Sequence, residues 1–356
     1  MIFDSPEMDR LRKKYAGRTD FRLPRILQLD LVPILQRERE LLEHLVERAA
    51  PTKQREWVSR LLSEDDSEHL ATWFELHLFE WLTGVGRTNA EPDIDGEKPD
   101  FIVAIGDGTG VEVVIEARAV LKTDETRAED RATNEVFYAI HQLDLPYVVE
   151  IHDFRHQERF PTETLIARMR KWLSDSPTEF FIFEDGKGNR VAMSAQPLDH
   201  LTRTQGMMSG PFLTLTGDKL KSPLSKKAGQ HRQLRKAGFP YVIALYLEDF
   251  MFDSELVVEA WFGKMQVQVR AQPMEVVSQS FDLSGIHFFG PDIVHTTVSG
   301  TLVFRHEFDE VNGVYYLRAH YVENPFAVVP IDPGLFPVKR RFVVVGRSPL
   351  RMAWTD

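Results

Sequence analysis

The chain has 356 residues, a formal net charge of −11 and no cysteine. Without cysteine, disulfide bonds, thiolate zinc sites and a cysteine nucleophile are excluded, and the acidic balance argues against a protein that coats nucleic acid without specificity. No apolar run approaches the ~18–20 residues of a membrane span, and the first ten residues carry charges where a secretory signal has an apolar core. We therefore expect a cytoplasmic protein with no membrane association.

Helical patterns dominate the first part of the chain. Apolar residues recur at three- and four-residue spacing over 34–49 and 54–62, which predicts amphipathic helices. Residues 63–67 supply helix-start residues and Gly84 a stop, so a further helix is predicted that contains Glu75. Because its neighbours are large and apolar, Glu75 needs a polar partner. An ion pair with an arginine such as Arg87 is one interpretation, and a role in a functional site is the other.

The segment from Pro99 to Arg118 predicts two β-strands joined by a glycine-rich turn, Gly106–Gly110. When Ile105 is paired with Val111 across the turn, Asp100 lies opposite Glu116. Facing residues in a sheet have Cβ atoms about 5 Å apart, and like charges at that distance repel. A divalent cation is the simplest reason to keep two opposed carboxylates.

The second strand of this hairpin alternates between apolar and charged side chains. Its two faces carry Val111, Val113, Ile115 and Ala117 on one side and Glu112, Val114, Glu116 and Arg118 on the other. Charged groups on a strand face are costly to bury unless they are paired or bind an ion. A hairpin with a solvated polar face is the competing interpretation. Glu112 lies four residues, about 13 Å, from Glu116 and is assigned to structure.

A basic segment follows later in the chain. Residues 219–236 contain seven lysines or arginines and no acid: Lys219, Lys221, Lys226, Lys227, Arg232, Arg235 and Lys236. In an acidic chain this bias indicates a place where phosphates bind, although a solvated helix face would have the same composition. Ser222-Pro223 predicts a helix start, Gly238 its end, and residues 240–247 a buried strand.

The last hundred residues are rich in strand patterns. Strands are predicted at 256–262, 266–270, 300–306, 313–321 and 341–345. The whole pattern predicts an α/β fold with three parts. These are a helical N-terminal extension (1–67), an α/β core (68–250) with an insertion at about 123–218, and a β-rich C-terminal part (251–356) packed on the core.

Three of these motifs resemble the restriction-endonuclease-like, or PD-(D/E)XK, nuclease superfamily. Its pattern is a Pro-Asp at one strand and an acid-x-Lys on the next, usually preceded by a helix with a glutamate. Pro99-Asp100, Glu116-Ala117-Arg118 and Glu75 match these elements, with arginine in place of lysine. Residues 226–230 and 240–245 look like the helix and strand that follow the site. The resemblance covers roughly 68–122 and 219–248, and it is closest to uncharacterised bacterial members with a long insertion.

The resemblance implies a central mixed sheet flanked by helices and a Mg²⁺ (or Mn²⁺)-dependent phosphodiester hydrolase. Its substrate would be nucleic acid, with DNA the expected one, and a homodimer would suit cleavage of both strands. The metal ligands that it implies are Asp100, Glu116, the backbone carbonyl of Ala117 and Glu75. The catalytic residues, which would bind the metal, neutralise the phosphate or orient water, are Asp100, Glu116, Arg118, Lys226, Lys227 and Gln230.

Arg118 departs from the family pattern. The guanidinium group of arginine can donate two parallel hydrogen bonds to phosphate oxygens. Arginine stays protonated, however, and cannot accept a proton. Two outcomes are therefore open. In the first, the chain is a nuclease whose lysine comes from elsewhere, with Lys226 or Lys227 the candidates. In the second, it is a catalytically inactive nuclease-like scaffold that binds DNA or a protein partner, with Arg118 paired to Glu116 or Asp100.

Overall fold

The computed structural model describes residues 2–17, 23–32, 35–106, 110–122, 127, 131–133, 135–136, 139–140, 143, 147–155, 160–175, 180–197, 205–208, 217–230, 238–248, 253–271, 274–282, 284–289, 292–309, 314–347 and 350–356. The helices in these residues are α1 (Pro6–Lys14), α2 (Arg25–Leu31), α3 (Gln36–Glu47), α4 (Gln54–Leu61), α5 (Asp66–Val85), α6 (Thr162–Ser174), α7 (Asp218–Ala228), α8 (Ser254–Phe262) and a 3-10 turn (Pro333–Leu335). The strands are β1 (Arg87–Ala90), β2 (Phe101–Ile105), β3 (Val111–Val120), β4 (Tyr147–Arg155), β5 (Phe181–Glu184), β6 (Arg190–Pro197), β7 (Gln205–Met208), β8 (Tyr241–Leu247), β9 (Met265–Ala271), β10 (Met274–Phe281), β11 (Phe288–Phe289), β12 (Asp292–Ile293), β13 (Gly300–Asp309), β14 (Val314–Glu323), β15 (Arg340–Arg347) and β16 (Leu350–Thr355).

The chain divides into two compact units. The first unit comprises residues 1–12, 33–121 and 215–356, and the second comprises 13–32 and 122–214. The longer segment of the second unit overlaps the insertion predicted at about 123–218. Its four-stranded sheet has the order β5-β6-β4-β7, and α6 contributes Leu165, Met169 and Leu173 to the core of this unit.

The first unit is built on an eight-stranded mixed sheet with the order β1-β2-β3-β8-β13-β14-β15-β16. Strands β3, β8 and β13 are parallel to one another, whereas β2 runs antiparallel to β3 and β14 antiparallel to β13. Parallel central strands are buried on both sides, and every residue of β8 is buried. The predicted α/β class, with a mixed sheet flanked by helices, is confirmed.

Helices cover both faces of this sheet. On the face that we call the α7 face, α7 and α8 pack against Ile243 and Val303. On the opposite face, the α5 face, Phe74 of α5 stacks on Tyr246 with ring centroids 5.3 Å apart. In the described part of the chain, no helix combines the length and the apolar character needed to cross a lipid bilayer.

The C-terminal part contributes strands to the central sheet, because β13 pairs directly with β8. The strand predicted at 256–262 is wrong, since these residues belong to helix α8. The carboxylate of Asp253 accepts a hydrogen bond from the backbone N–H of Leu256 (3.0 Å) and caps this helix. Most side chains of α8 are buried, so the alternation of apolar and polar residues that marks a surface helix is missing.

A buried histidine in this part makes stability depend on pH. His287 is 1% exposed, its Nδ1 lies 3.1 Å from the carbonyl oxygen of Val294, and its ring stacks on Trp261. Burial lowers the pKa of His287 to about 4. An unfolded histidine titrates near 6.5, so between pH 7 and pH 5 the unfolded chain gains a proton that the native chain excludes.

We expect His287 to reduce the free energy of unfolding by about 1–2 kcal/mol between pH 7 and pH 5. The measurement is urea unfolding of the wild type and of His287→Gln at both pH values. The variant should be less stable at pH 7 yet lose less stability on acidification. Equal losses in the two proteins would show that His287 does not carry this pH dependence.

Candidate active site

The β2–β3 hairpin places Asp100 beside Glu116. The strands pair with Ile105 opposite Val111, as the sequence predicts, so Asp100 immediately before β2 faces Glu116. The backbone N–H of Asp100 donates to Glu116 Oε1 (3.1 Å), and the backbone N–H of Ala117 donates to Asp100 Oδ2 (2.7 Å). Each carboxylate therefore accepts a hydrogen bond from a backbone N–H at or next to the other acidic residue. These two bonds fix the orientation of both side chains.

Burial sets the electrostatics of this carboxylate pair. The Glu116 side chain is 2% exposed and that of Asp100 is 32% exposed. Removal from water, followed by repulsion from Glu116, raises the pKa of Asp100 to about 6. Two opposed carboxylates at this depth need a cation close by.

Lys227 supplies that cation. Its Nζ lies 2.5 Å from Glu116 Oε2 and 3.2 Å from Asp100 Oδ2, and its side chain is 15% exposed. Burial lowers the pKa of Lys227, but the charges of Asp100 and Glu116 outweigh burial and hold that pKa above its ordinary value. Lys227 is therefore an ammonium ion that binds both carboxylates.

Helix α7 determines which of the two adjacent lysines reaches the site. Leu220, Leu224 and Ala228, spaced by four residues, are buried against the sheet. Lys227 lies three residues after Leu224 and so flanks the buried side of the helix, whereas Lys226 is exposed. This periodicity is the signal in the sequence that separates the two lysines.

The start of α7 differs from the prediction, and its end is anchored. The helix begins at Asp218 rather than at Ser222, so Pro223 lies inside it. At its C-terminal end, the hydroxyl of Tyr241 donates to the carbonyl oxygen of Lys227 (2.7 Å). Carbonyls in the last turn have no partner within a helix, so this bond ties the main chain of Lys227 to the start of β8.

The remaining predicted basic and polar residues lie outside this cluster. Arg118 is on the same face of β3 as Glu116, two residues further along, and is exposed. Gln230 is also exposed. Three members of the basic segment, Arg232, Arg235 and Lys236, lie outside the described residues. The ion pair that the structure gives to the two carboxylates is with Lys227, rather than the Arg118 pair expected for a scaffold.

Glu75 is held on the other side of the sheet. Its carboxylate accepts hydrogen bonds from both terminal nitrogens of Arg60 (2.8 Å each) and from the indole nitrogen of Trp57 (2.9 Å). These partners come from α4, and α5 covers the face opposite the Glu116 side chain. The expected arginine pair is present with Arg60 as the partner instead of Arg87. Glu75 therefore lies outside the cluster formed by Asp100, Glu116 and Lys227.

Replacing Glu75 with glutamine tests this structural assignment. We expect Glu75→Gln to lower the free energy of unfolding by about 1–3 kcal/mol, because it removes the charge from a bidentate hydrogen-bonded ion pair with Arg60. Divalent-metal affinity should be unchanged. Denaturant unfolding and metal titration are the measurements. Glu80→Gln is the matched control on the same helix, since its ion pair with Arg48 is partly exposed and should contribute less than about 1 kcal/mol. A tenfold loss of metal affinity in Glu75→Gln would show that Glu75 contributes to the metal site, against the structural assignment.

The donor set fits a hard divalent cation. Among the described residues, no group of three or more His, Asp or Glu side chains is placed to hold a metal ion. The two carboxylates nevertheless direct Oδ2 and Oε2 toward one point, marked by Lys227 Nζ. Magnesium typically binds through one or two carboxylates and completes its shell with water and substrate phosphates, so Asp100 and Glu116 match its requirements.

The candidate site thus consists of Asp100, Glu116, the backbone at Ala117, and Lys227. Two carboxylates can balance the charge of one divalent ion, and a lysine beside them can stabilise negative charge on a bound phosphate. A comparison of the chain with protein-family models, with curated proteins and with solved structures found no match.

Proposed function

We propose that this chain is a Mg²⁺- or Mn²⁺-dependent phosphodiester hydrolase of the restriction-endonuclease-like superfamily, acting on nucleic acid with DNA as the expected substrate. The observation that carries the proposal is the carboxylate pair of Asp100 and Glu116, interlocked across β2 and β3 with Lys227 between them. Further support comes from the chain order, in which the hairpin is followed by α7 and then by β8, which pairs parallel with β3.

In this proposal Asp100 and Glu116 hold the metal, and the backbone carbonyl of Ala117 is a further candidate ligand. When bound, the ion supplies a Lewis acid that activates water and neutralises phosphate charge. In the metal-free site, Asp100 and Glu116 hold the pKa of Lys227 above its ordinary value, and the Lys227 ammonium would stabilise negative charge on a bound phosphate. Arg118 is exposed two residues beyond Glu116, where its fork suits a neighbouring phosphate. Cutting both strands of a duplex would need two such sites, as in a homodimer.

One observation favours the second candidate, an inactive scaffold that binds DNA or a protein partner. The Lys227 ammonium already offsets much of the negative charge of the carboxylate pair, so the site is stable without a metal. In this case Lys227 is a permanent counter-ion. The two candidates differ in whether a divalent ion binds at all.

A cleavage assay tests the proposal. Purified protein would be incubated with plasmid, linear single-stranded DNA and RNA, in magnesium, manganese or EDTA. We expect cleavage of at least one substrate with metal and none in EDTA, together with metal-induced thermal stabilisation. An ion at about 100 times its dissociation constant adds about 2.7 kcal/mol to the free energy of unfolding. No cleavage and no stabilisation would favour the scaffold.

A further inference from the structure

The Lys227 ammonium lies at the point where the two carboxylates converge. Glu116 Oε1 is already used by the backbone N–H of Asp100, which leaves Oε2 as the oxygen directed at Lys227. Asp100 Oδ2 accepts from both Ala117 and Lys227. A divalent ion that binds Asp100 and Glu116 together therefore needs oxygens that Lys227 now occupies.

The charges do not favour a metal and the ammonium side by side in this place. Two carboxylates carry two negative charges, which one divalent ion balances. An ammonium beside it would bring three positive charges against two, and repulsion between cations is strong where water is excluded. From these contacts we infer that the metal and the Lys227 ammonium exchange at the carboxylate pair. This inference rests on the proposed function.

The exchange is confined to the lysine side chain. The main chain of Lys227 is tied to Tyr241 through its carbonyl oxygen (2.7 Å), and the neighbouring Leu224 and Ala228 are buried in the core. The four-carbon stem of lysine is flexible and carries a strongly hydrated charge. The ammonium can therefore leave the carboxylates while α7 stays in place.

This exchange regulates the site by setting an order of binding. Without metal, Lys227 is held by the carboxylates and is not available to an anion. With metal, the ammonium is released from the carboxylates and can bind an oxygen of the phosphate, whose negative charge offsets its repulsion from the ion. The lysine thereby becomes available for phosphate only after the metal is loaded.

The first test compares metal affinity in two lysine variants. Lys227→Gln and the matched control Lys226→Gln would be titrated with Mn²⁺ and Mg²⁺ by calorimetry, with circular dichroism as the check on folding. We expect Lys227→Gln to bind the ion at least tenfold more tightly than the wild type and Lys226→Gln to bind as the wild type does. Equal or weaker binding by Lys227→Gln would overturn the exchange while leaving the proposed metal site intact. No binding by any of the three proteins would overturn both.

The second test uses the wild-type chain and so does not depend on a variant that folds. Lysine acetylation would be followed residue by residue by mass spectrometry, with and without Mn²⁺ at a concentration that stabilises the protein against heat. We expect the metal to increase the labelling rate of Lys227 at least threefold and to leave that of exposed Lys226 unchanged. An unchanged Lys227 rate in the metal-stabilised protein would overturn the exchange.

Discussion

Glu116→Gln is expected to lower metal-dependent cleavage at least a thousandfold, equivalent to about 4 kcal/mol of transition-state stabilisation. Glu116 is the more buried of the two carboxylates, 2% exposed, and glutamine offers a neutral oxygen in place of an anion. The variant should also lose metal-induced thermal stabilisation. Initial rates and melting curves, each with and without Mg²⁺, are the measurements.

Glu112→Gln is the matched control for this experiment. Glu112 is on the same strand and the same face as Glu116 but is exposed, so its loss should leave cleavage and metal binding within twofold of the wild type. If Glu116→Gln keeps cleavage within tenfold of the wild type, Glu116 is not a metal ligand and the proposed hydrolase site is wrong. If Glu112→Gln is as damaging, the effect comes from the charge of the whole strand face.

Lys227→Met is expected to lower the free energy of unfolding by about 3 kcal/mol in metal-free buffer. The change leaves the Glu116 carboxylate, which is almost fully buried, without its cation, and an unpaired buried charge costs about 3–5 kcal/mol. We expect a value at the lower end of this range because Asp100, the second partner of Lys227, is partly exposed to water. Urea unfolding in EDTA is the measurement, with Lys226→Met as the exposed neighbour that should change stability by less than about 0.5 kcal/mol.

A double-mutant cycle isolates the ion pair from other effects of methionine. Adding Glu116→Gln to Lys227→Met removes the unpaired buried negative charge of Glu116. The double variant should therefore recover at least half of the free energy of unfolding that Lys227→Met loses. If the double variant is less stable than Lys227→Met alone, the loss arises from packing of the lysine stem. Addition of Mg²⁺ should also stabilise Lys227→Met, because the ion can take the place of the ammonium.

The hairpin geometry was predictable from the sequence because its determinants are local. Side chains on a strand alternate with a period of two, and a tight turn fixes the register, so Asp100 and Glu116 followed from residues within twenty positions of each other. Gly106 has a φ of 100°, a conformation that favours glycine. The register therefore needed no knowledge of the rest of the fold.

The partners of Glu75 and the choice between Lys226 and Lys227 depend on packing between distant segments. Arg60 reaches Glu75 because α4 packs on α5, and no spacing in the sequence distinguishes Arg60 from Arg87 as its partner. Lys227 reaches the hairpin because α7 buries one particular side. The spacing of Leu220, Leu224 and Ala228 in the sequence predicts which side of α7 is buried. It does not predict which strand that side covers.

The sequence pattern predicts a strand where helix α8 lies, because hydrophobic periodicity is lost when an element is buried on most sides. The segment contains several adjacent apolar residues, and a short apolar run of this kind does not distinguish a buried strand from a buried helix. The capping residue Asp253 was the local signal that favoured a helix. In this case the cap carried more information than the hydrophobic pattern.

The position of β8 in the sheet decides where the chain can be shortened. β8 pairs with β3, which carries Glu116, on one side and with β13 on the other. A fragment that stops at residue 250 would keep the carboxylate hairpin and Lys227 but would leave the β13 side of β8 open. A long apolar strand with unpaired backbone groups is a template for aggregation. The last hundred residues thus cover the edge of the half-sheet that carries the candidate site, and we expect a fragment without them to aggregate.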